Sequence, residues 1–185
     1  MATKHKAPGW REIKIQLAGF DRAGLLALLK DLHDASLSNR RFLQARFALG
    51  EDPLQPYKIE LQRWLFPALE RGQDFSVSKA KKVLSDYRKA RGDSQGMAEL
   101  CVFYCEQVRA FLGSCGVDDE TYYLALESVF SQALGYIRVL PESTQVDYLA
   151  RLRPLLEASY DYGWGVHECL LEAWLNAGFD LQPAG

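Results

Sequence analysis

The chain has 185 residues, of which 48% are apolar and 25% charged, and this composition is typical of a folded globular protein rather than of a disordered one. No apolar run approaches the roughly 18 residues of a membrane span, and the opening stretch MATKHKAPGWREIKI lacks the apolar segment of a secretory signal. The net charge of −2 is unevenly distributed, because residues 1–114 carry +6 and residues 115–185 carry −8. This asymmetry can steer charged partners or let two copies associate head to tail, and the alternative is a chance distribution that folding partly cancels.

The first half of the chain has the three- and four-residue apolar spacing of amphipathic helices. In DRAGLLALLKDLHDA, positions 25, 28, 29 and 32 fall on one helix face. Ile13, Ile15 and Leu17 alternate, but a lone strand has nothing to pair with, so we expect a short helix there. The residues placed to cap, open or end the helices of this half are Asp21, Ser38, Asp52 with Pro53, Ser76 and Gly92.

The second half predicts longer helices. Residues 94–112 are apolar nearly all round, which indicates a central buried helix. Asp118 is placed to cap the next helix, and Pro141 to end it. Two further helices complete the set; the first is kinked or restarted at Pro154, and Gly178 closes the second.

These elements predict an all-α protein without a convincing strand. We expect about eight helices joined by short loops and stacked as an irregular array of antiparallel helical hairpins, with a compact helical bundle as the alternative. No regular repeat is found. A single domain over residues 1–185 is expected, with residues 1–9 and 179–185 flexible.

Three stretches follow one another along most of residues 10–175: LLALLKDLHDASLSNRRFLQARF, FSVSKAKKVLSDYRKARGD and YGWGVHE. In their order and spacing they resemble a family of small bacterial proteins known only as a domain of unknown function. The resemblance implies a helical fold. It implies no activity, and no functional residue follows from it.

The stretch YDYGWGVHECL, residues 160–170, concentrates aromatic and reactive side chains. Asp161, His167 and Glu168 are candidates for an acid–base cluster in an enzyme. His167 and Glu168 also begin the zinc-protease pattern HExxH, but the pattern ends in Leu171 instead of histidine. No zinc site can therefore form locally.

The same stretch fits a junction between two packed helices. Gly163 and Gly165 supply backbone freedom, and Trp164 is expected to fill the gap between the helices. His167 then forms a hydrogen bond near the start of the last helix. We favour this interpretation over the acid–base cluster.

A run of basic residues is the strongest candidate for polyanion binding. The alternative is an ordinary solvated helix face, because Lys and Arg are good helix formers. Apolar positions 80, 83, 84 and 87 face one way, so the basic side chains occupy the solvated side of the helix, and Arg40, Arg41 and Arg46 extend it if the preceding helix lies alongside. The acidic isoelectric point of about 5.9 argues against a dedicated nucleic-acid binder. The members of the run are Lys79, Lys81, Lys82, Arg88, Lys89 and Arg91.

The cysteines point to structure rather than to metal binding. All four lack a CxxC pairing, which favours reduced and mostly buried thiols in the cytoplasm. Cys101 and Cys105 stand one helical turn apart, but the apolar residues between them indicate a packed core. No phosphate-binding loop, nucleophile elbow or dinucleotide fingerprint occurs. We predict neither a metal nor a cofactor.

The sequence therefore predicts a cytoplasmic, all-helical interaction or scaffold module without catalysis. We expect it to bind a protein partner or a second copy of itself, and not a membrane. One alternative is a nucleic-acid-associated protein that uses residues 79–91. Another is an enzyme with an acid–base cluster near residues 161–168. The preferred function depends on architecture and on the charge asymmetry.

Overall fold

In the computed structural model, which describes residues 8–115 and 119–181, every regular element is a helix. Two short 3₁₀ helices, Leu69–Arg71 and Ser159–Asp161, accompany nine α-helices in these ranges. The prediction of an all-α fold with about eight helices is confirmed. The α-helices are α1 (Trp10–Leu17), α2 (Arg22–Ala35), α3 (Leu37–Phe47), α4 (Gln55–Leu65), α5 (Val77–Ala90), α6 (Ser94–Cys115), α7 (Glu120–Ile137), α8 (Glu142–Ala158) and α9 (Val166–Asn176).

Short acidic side chains start two of these helices. Asp21 caps α2, as expected, by accepting a backbone N–H of the first turn at 2.7 Å. Asp119 caps α7 by accepting the backbone N–H of Tyr122 at 2.9 Å. The expected cap of that helix, Asp118, lies outside the described residues.

The starts of α3 and α4 differ from the prediction. Ser36, not Ser38, caps α3, because Ser36 has an extended backbone and its hydroxyl accepts a backbone N–H one turn on at 3.1 Å. Asp52 accepts the backbone N–H of Leu54 at 2.9 Å. This local turn uses the carboxylate before the helix begins, so α4 starts only at Gln55.

The central helix of residues 44–181 is α6, as its apolar sequence indicated. It packs against α4, α5, α7 and α8, and α9 packs on α7 and α8. This position confirms the prediction of a central buried helix over residues 94–112. The fully buried residues of α6 are Met97, Ala98, Leu100, Cys101, Val102, Tyr104, Cys105, Val108 and Phe111.

The chain divides into two compact units, Met1–Leu43 and Gln44–Gly185. Every side chain that is buried among the described residues belongs to the second unit, whereas α1 and α2 of the first unit contain no buried residue. The single domain over residues 1–185 stays a prediction. Of the ends expected to be flexible, residues 1–7 and 182–185 lie outside the described ranges.

Two buried tyrosines of the core differ in hydrogen bonding. Tyr122 of α7 donates its hydroxyl to the carbonyl oxygen of Leu65 at 2.6 Å, which ties α7 to the end of α4. The hydroxyl of Tyr104 in α6 is buried and has no hydrogen-bond partner within the described part of the chain. A buried polar group without a partner costs about 1–3 kcal/mol.

We expect Tyr104→Phe to stabilise the protein by about 1 kcal/mol, because it removes a desolvated hydroxyl and keeps the packing of the ring. Tyr122→Phe is the matched control. It leaves the Leu65 carbonyl unpaired, and we expect a loss of about 1 kcal/mol. Urea unfolding followed by circular dichroism measures both changes. A Tyr104→Phe protein less stable than the wild type contradicts the prediction.

Candidate functional site

The exposed surface of α2 carries a row of leucines. Leu25, Leu29 and Leu32 are 39%, 47% and 47% exposed, and Leu28 on the same side is partly buried. These four residues, called the leucine stripe below, recur every three or four positions and therefore share one helix face. Exposed apolar patches larger than a few hundred Å² are uncommon on soluble monomers.

The short helix α1 adds a second apolar face. Trp10 and Ile13, about one turn apart, are 67% and 47% exposed. Helices of 8 and 14 residues, the lengths of α1 and α2, are marginal in water unless one face is packed. Both helices would therefore gain stability if a surface covered their apolar faces.

The structure places the basic residues of α5 on one solvated side but gives several of them partners. The side chains of Lys81 and Lys89 are exposed. Arg46 joins this side by donating to the carbonyl oxygen of Lys89 at 2.8 Å, whereas Arg40 and Arg41 belong to the first unit. The other partners are the Trp64 ring for Lys79, Asp86 for Lys82, Gln132 for Arg88 and Asp93 for Arg91.

These contacts reduce the number of cations on α5 that are available to phosphates. An ion pair must be broken, or weakened by competition, before its cation can contact a nucleic acid. Polyanion binding by residues 79–91 stays a prediction.

The candidate acid–base residues are not joined by hydrogen bonds. His167 is buried, and its Nδ1 lies 2.8 Å from the hydroxyl of Ser159, which itself donates to the carbonyl oxygen of Leu156 at 2.6 Å. The single hydroxyl proton is thereby used, so Nδ1 is the donor to Ser159. Asp161 and Glu168 are exposed. A structural role for His167 fits this geometry, and catalysis there stays a prediction.

The expected role of Trp164 at the helix junction is wrong. Its side chain is 62% exposed, because Trp164 and Gly165 both have positive φ angles, +64° and +70°, and the tight turn directs the ring outward. Tyr162 packs into the junction instead, with its ring centroid 5.7 Å from that of Tyr123. The sequence offered a second large aromatic side chain for this junction, Tyr162, two positions before Trp164.

A cavity of about 380 Å³ lies in the second unit beside the start of α6. Its charged groups bind one another: the Tyr87 hydroxyl donates to Asp93 at 2.6 Å, and Arg91 donates to the same carboxylate at 2.9 Å. Because Tyr87, Arg91 and Asp93 bind one another, none of the three offers an unpaired charge to a ligand. The polar residues that line the cavity include Asp52, Tyr87, Arg91, Asp93, Glu99 and Tyr148.

Next to this cavity, a cluster of four charges joins α4, α6 and α8. Arg151 donates to Glu99 at 2.5 Å and to Glu106 at 2.7 Å, and Lys58 donates to Glu99 at 2.8 Å. These residues form the Arg151 cluster. Burial opposes ionisation of Glu99, but hydrogen bonds from Arg151 and Lys58 outweigh it and hold the pKa of that carboxyl below its usual 4.5. The cluster holds helices together.

The described cysteines with a known environment are two buried thiols and one exposed thiol. Cys101 and Cys105 are buried free thiols, and burial raises the pKa of Cys101 to about 12, so the thiolate does not form. Cys169 is an exposed free thiol. Over residues 8–115 and 119–181 no group of three or more His, Cys, Asp or Glu side chains is placed to hold a metal ion.

Comparison with protein-family models, with curated proteins and with solved structures gives no match to this chain. The resemblance to small bacterial helical proteins stays a prediction. None of the described helices is both long enough and apolar enough to cross a bilayer. The geometry of the exposed faces is therefore the basis for a functional proposal.

Proposed function

We propose that this chain is a protein-interaction module whose docking surface is the leucine stripe of α2 together with Trp10 and Ile13 of α1. The observation that carries the proposal is that neither helix contains a buried residue. Full burial of one leucine stabilises a protein by about 1.5–3 kcal/mol, so covering the half-exposed stripe contributes several kcal/mol to an interface.

The amount of exposed apolar surface supports an interface of ordinary size. Ten large apolar side chains between residues 10 and 42 are more than a third exposed. Together they present on the order of 1,000 Å², against the roughly 800 Å² that each partner contributes to a typical stable complex. Only part of this surface needs to be covered for stable association.

The proposal places the protein in the cytoplasm. Three of its cysteines, Cys101, Cys105 and Cys169, are free thiols. Free thiols persist in a reducing compartment, whereas secreted domains usually pair theirs. The chain acts in this proposal by binding and not by catalysis.

Photo-crosslinking from α2 tests the docking surface. We expect benzoylphenylalanine at position 29 to give one discrete adduct in cells. The same probe at Ala27, on the opposite side of the helix, is expected to give none. Mass spectrometry identifies the adduct, and the purified partner is then titrated against the wild type and Leu29→Asp. We expect Leu29→Asp to weaken binding at least roughly tenfold, because it places a charge in the apolar contact.

Unfolding in urea is the control for this experiment. Leu29 is 47% exposed, so Leu29→Asp should leave the unfolding of the core in the second unit unchanged. Equal adducts from positions 27 and 29, or no adduct from position 29, would show that the leucine stripe is not the docking surface.

A further inference from the structure

Resting on the proposed function, we infer that the leucine stripe docks on an acidic amphipathic helix of another protein, one whose apolar face is flanked by carboxylates. Some charged groups of residues 8–43 already make contacts within the fold, and the others remain available to a partner.

The carboxylates of this segment are mostly occupied within the fold. Glu12 accepts the backbone N–H of Gly9 at 2.9 Å at the start of α1, and Asp21 caps α2. Hydrogen bonds from Lys30 and then from His33 hold the pKa of Asp34 at about 2. Three of the four carboxylates of residues 8–43 therefore serve local structure.

Most cations of the segment are, in contrast, unused. Arg11, Lys14, Arg22 and Arg40 make no side-chain hydrogen bond or ion pair with any described residue. Arg22 stands one turn before Leu25, at the edge of the leucine stripe, and Lys14 stands one turn from Trp10. A partner that covers the apolar faces therefore meets positive charge at their borders.

A second copy of this chain does not provide carboxylates opposite the cations that border the apolar faces. If the two stripes packed on each other, the unused arginines and lysines of both copies would repel. In the described residues of the acidic part of a second copy, no α-helix presents more than one exposed large apolar side chain. Leu124, Val146 and Leu175 stand on α7, α8 and α9, and the others, Val139, Tyr160, Trp164 and Leu181, lie outside the α-helices. Single exposed side chains do not form a face that a stripe of four leucines can cover.

The polar face of α2, opposite the leucine stripe, lacks the positive charge of a helix that lies on a membrane surface. That side carries Lys30, Asp31 and Asp34, so carboxylates outnumber cations there. Helices that lie in an anionic membrane surface have a polar face rich in lysine and arginine. A protein surface with its own apolar face and carboxylate borders satisfies both the stripe and its cations.

Two synthetic three-heptad peptides test the inference on the full chain. Both carry leucine at the a and d positions and a fluorescein label; one has glutamate at e and g, and the other has lysine there. Anisotropy titrations at low salt are expected to show at least roughly tenfold tighter binding of the glutamate peptide, which corresponds to a few favourable charge pairs. High salt should reduce the difference.

Charge reversal supplies the matched control. Lys14→Glu combined with Arg22→Glu is expected to reverse the preference in favour of the lysine peptide, and Leu29→Asp to weaken binding of both peptides. Glutamate at position 22 suits the N-terminal end of α2, so the double variant should remain folded, which circular dichroism checks.

The remaining outcomes each overturn the inference. Equal binding of the two peptides removes the carboxylate requirement. Binding of neither peptide removes the helical partner. A doubled mass in light scattering that Leu29→Asp abolishes assigns the stripe to a second copy. A shift of tryptophan fluorescence on phosphatidylglycerol vesicles, with no peptide binding, assigns it to a membrane. Failure of the proposed function itself shows separately, as the absence of an adduct from position 29.

Discussion

Replacing Gly96 by alanine is expected to destabilise the protein by about 2–4 kcal/mol. A β-carbon at position 96 would lie 2.0 Å from the hydroxyl oxygen of Tyr87 and 2.7 Å from the ring carbon that bears it. Tyr87 cannot easily move, because it is 2% exposed and donates a hydrogen bond to Asp93, which also accepts the backbone N–H of Gly96 at 2.8 Å. The clash exceeds the gain that alanine brings to a helix.

Gly135 provides the matched control in α7. A β-carbon there meets nothing within 4 Å, so Gly135→Ala should stabilise the protein by about 0.5–1 kcal/mol through helix propensity alone. Urea unfolding followed by circular dichroism measures the two variants side by side. If Gly96→Ala also stabilised the protein, the close approach of Tyr87 to α6 would be refuted.

The second large effect is expected from Arg151→Ala, which should destabilise the protein by about 2 kcal/mol at neutral pH. The substitution removes hydrogen bonds to Glu99 and Glu106 and leaves two partly buried carboxylates near each other. Arg138→Ala is the control, because that side chain is exposed and bridges no carboxylates among the residues that the structure describes. Its effect should stay within about 0.5 kcal/mol.

The effect of Arg151→Ala should depend on pH in a defined direction. In the wild type the pKa of Glu99 is lowered, so its contribution to stability is present above the usual 4.5 and is lost as the pH falls through the lowered value. Without Arg151 the carboxyl keeps its burial but loses its main partner. The stability difference between variant and wild type should therefore shrink as the pH falls below the usual 4.5. A difference that stays constant or grows would contradict the proposed ionic role.

The core helices could be predicted because their sequences carry both a pattern and a partner within the chain. Positions 80, 83, 84 and 87 of α5 were expected on one apolar side, and all four are at most 3% exposed. The all-round apolar sequence of α6 likewise corresponds to its central position. When other helices of the same chain pack on the apolar face of a helix, the spacing of its apolar residues is enough to identify the buried face.

The candidate site shows the limit of the same reasoning. The leucines of α2 have as clear a period as the apolar residues of α5, yet the leucine stripe is exposed. Periodicity states which residues share a face and not what covers it. The exposure of the stripe could be found only from the structure.

Contacts between distant positions were equally beyond the sequence. Arg151 and Glu99 are 52 positions apart, and nothing in the local pattern of either residue indicates the other. His167 was expected to form a hydrogen bond near the start of the last helix, but the pattern did not name its partner, Ser159 on the preceding 3₁₀ helix. Such pairs depend on how helices cross, which short-range propensities do not specify.

The exposed leucine stripe also has a consequence for the turnover of the protein in the cell. Chaperones and proteases recognise incompletely folded proteins by exposed apolar segments, and the leucine stripe of α2 is such a segment. Under the proposed function, a bound partner covers this segment and stabilises the folded chain by mass action. We therefore expect the cellular amount of the protein to follow that of its partner, with surplus copies degraded first.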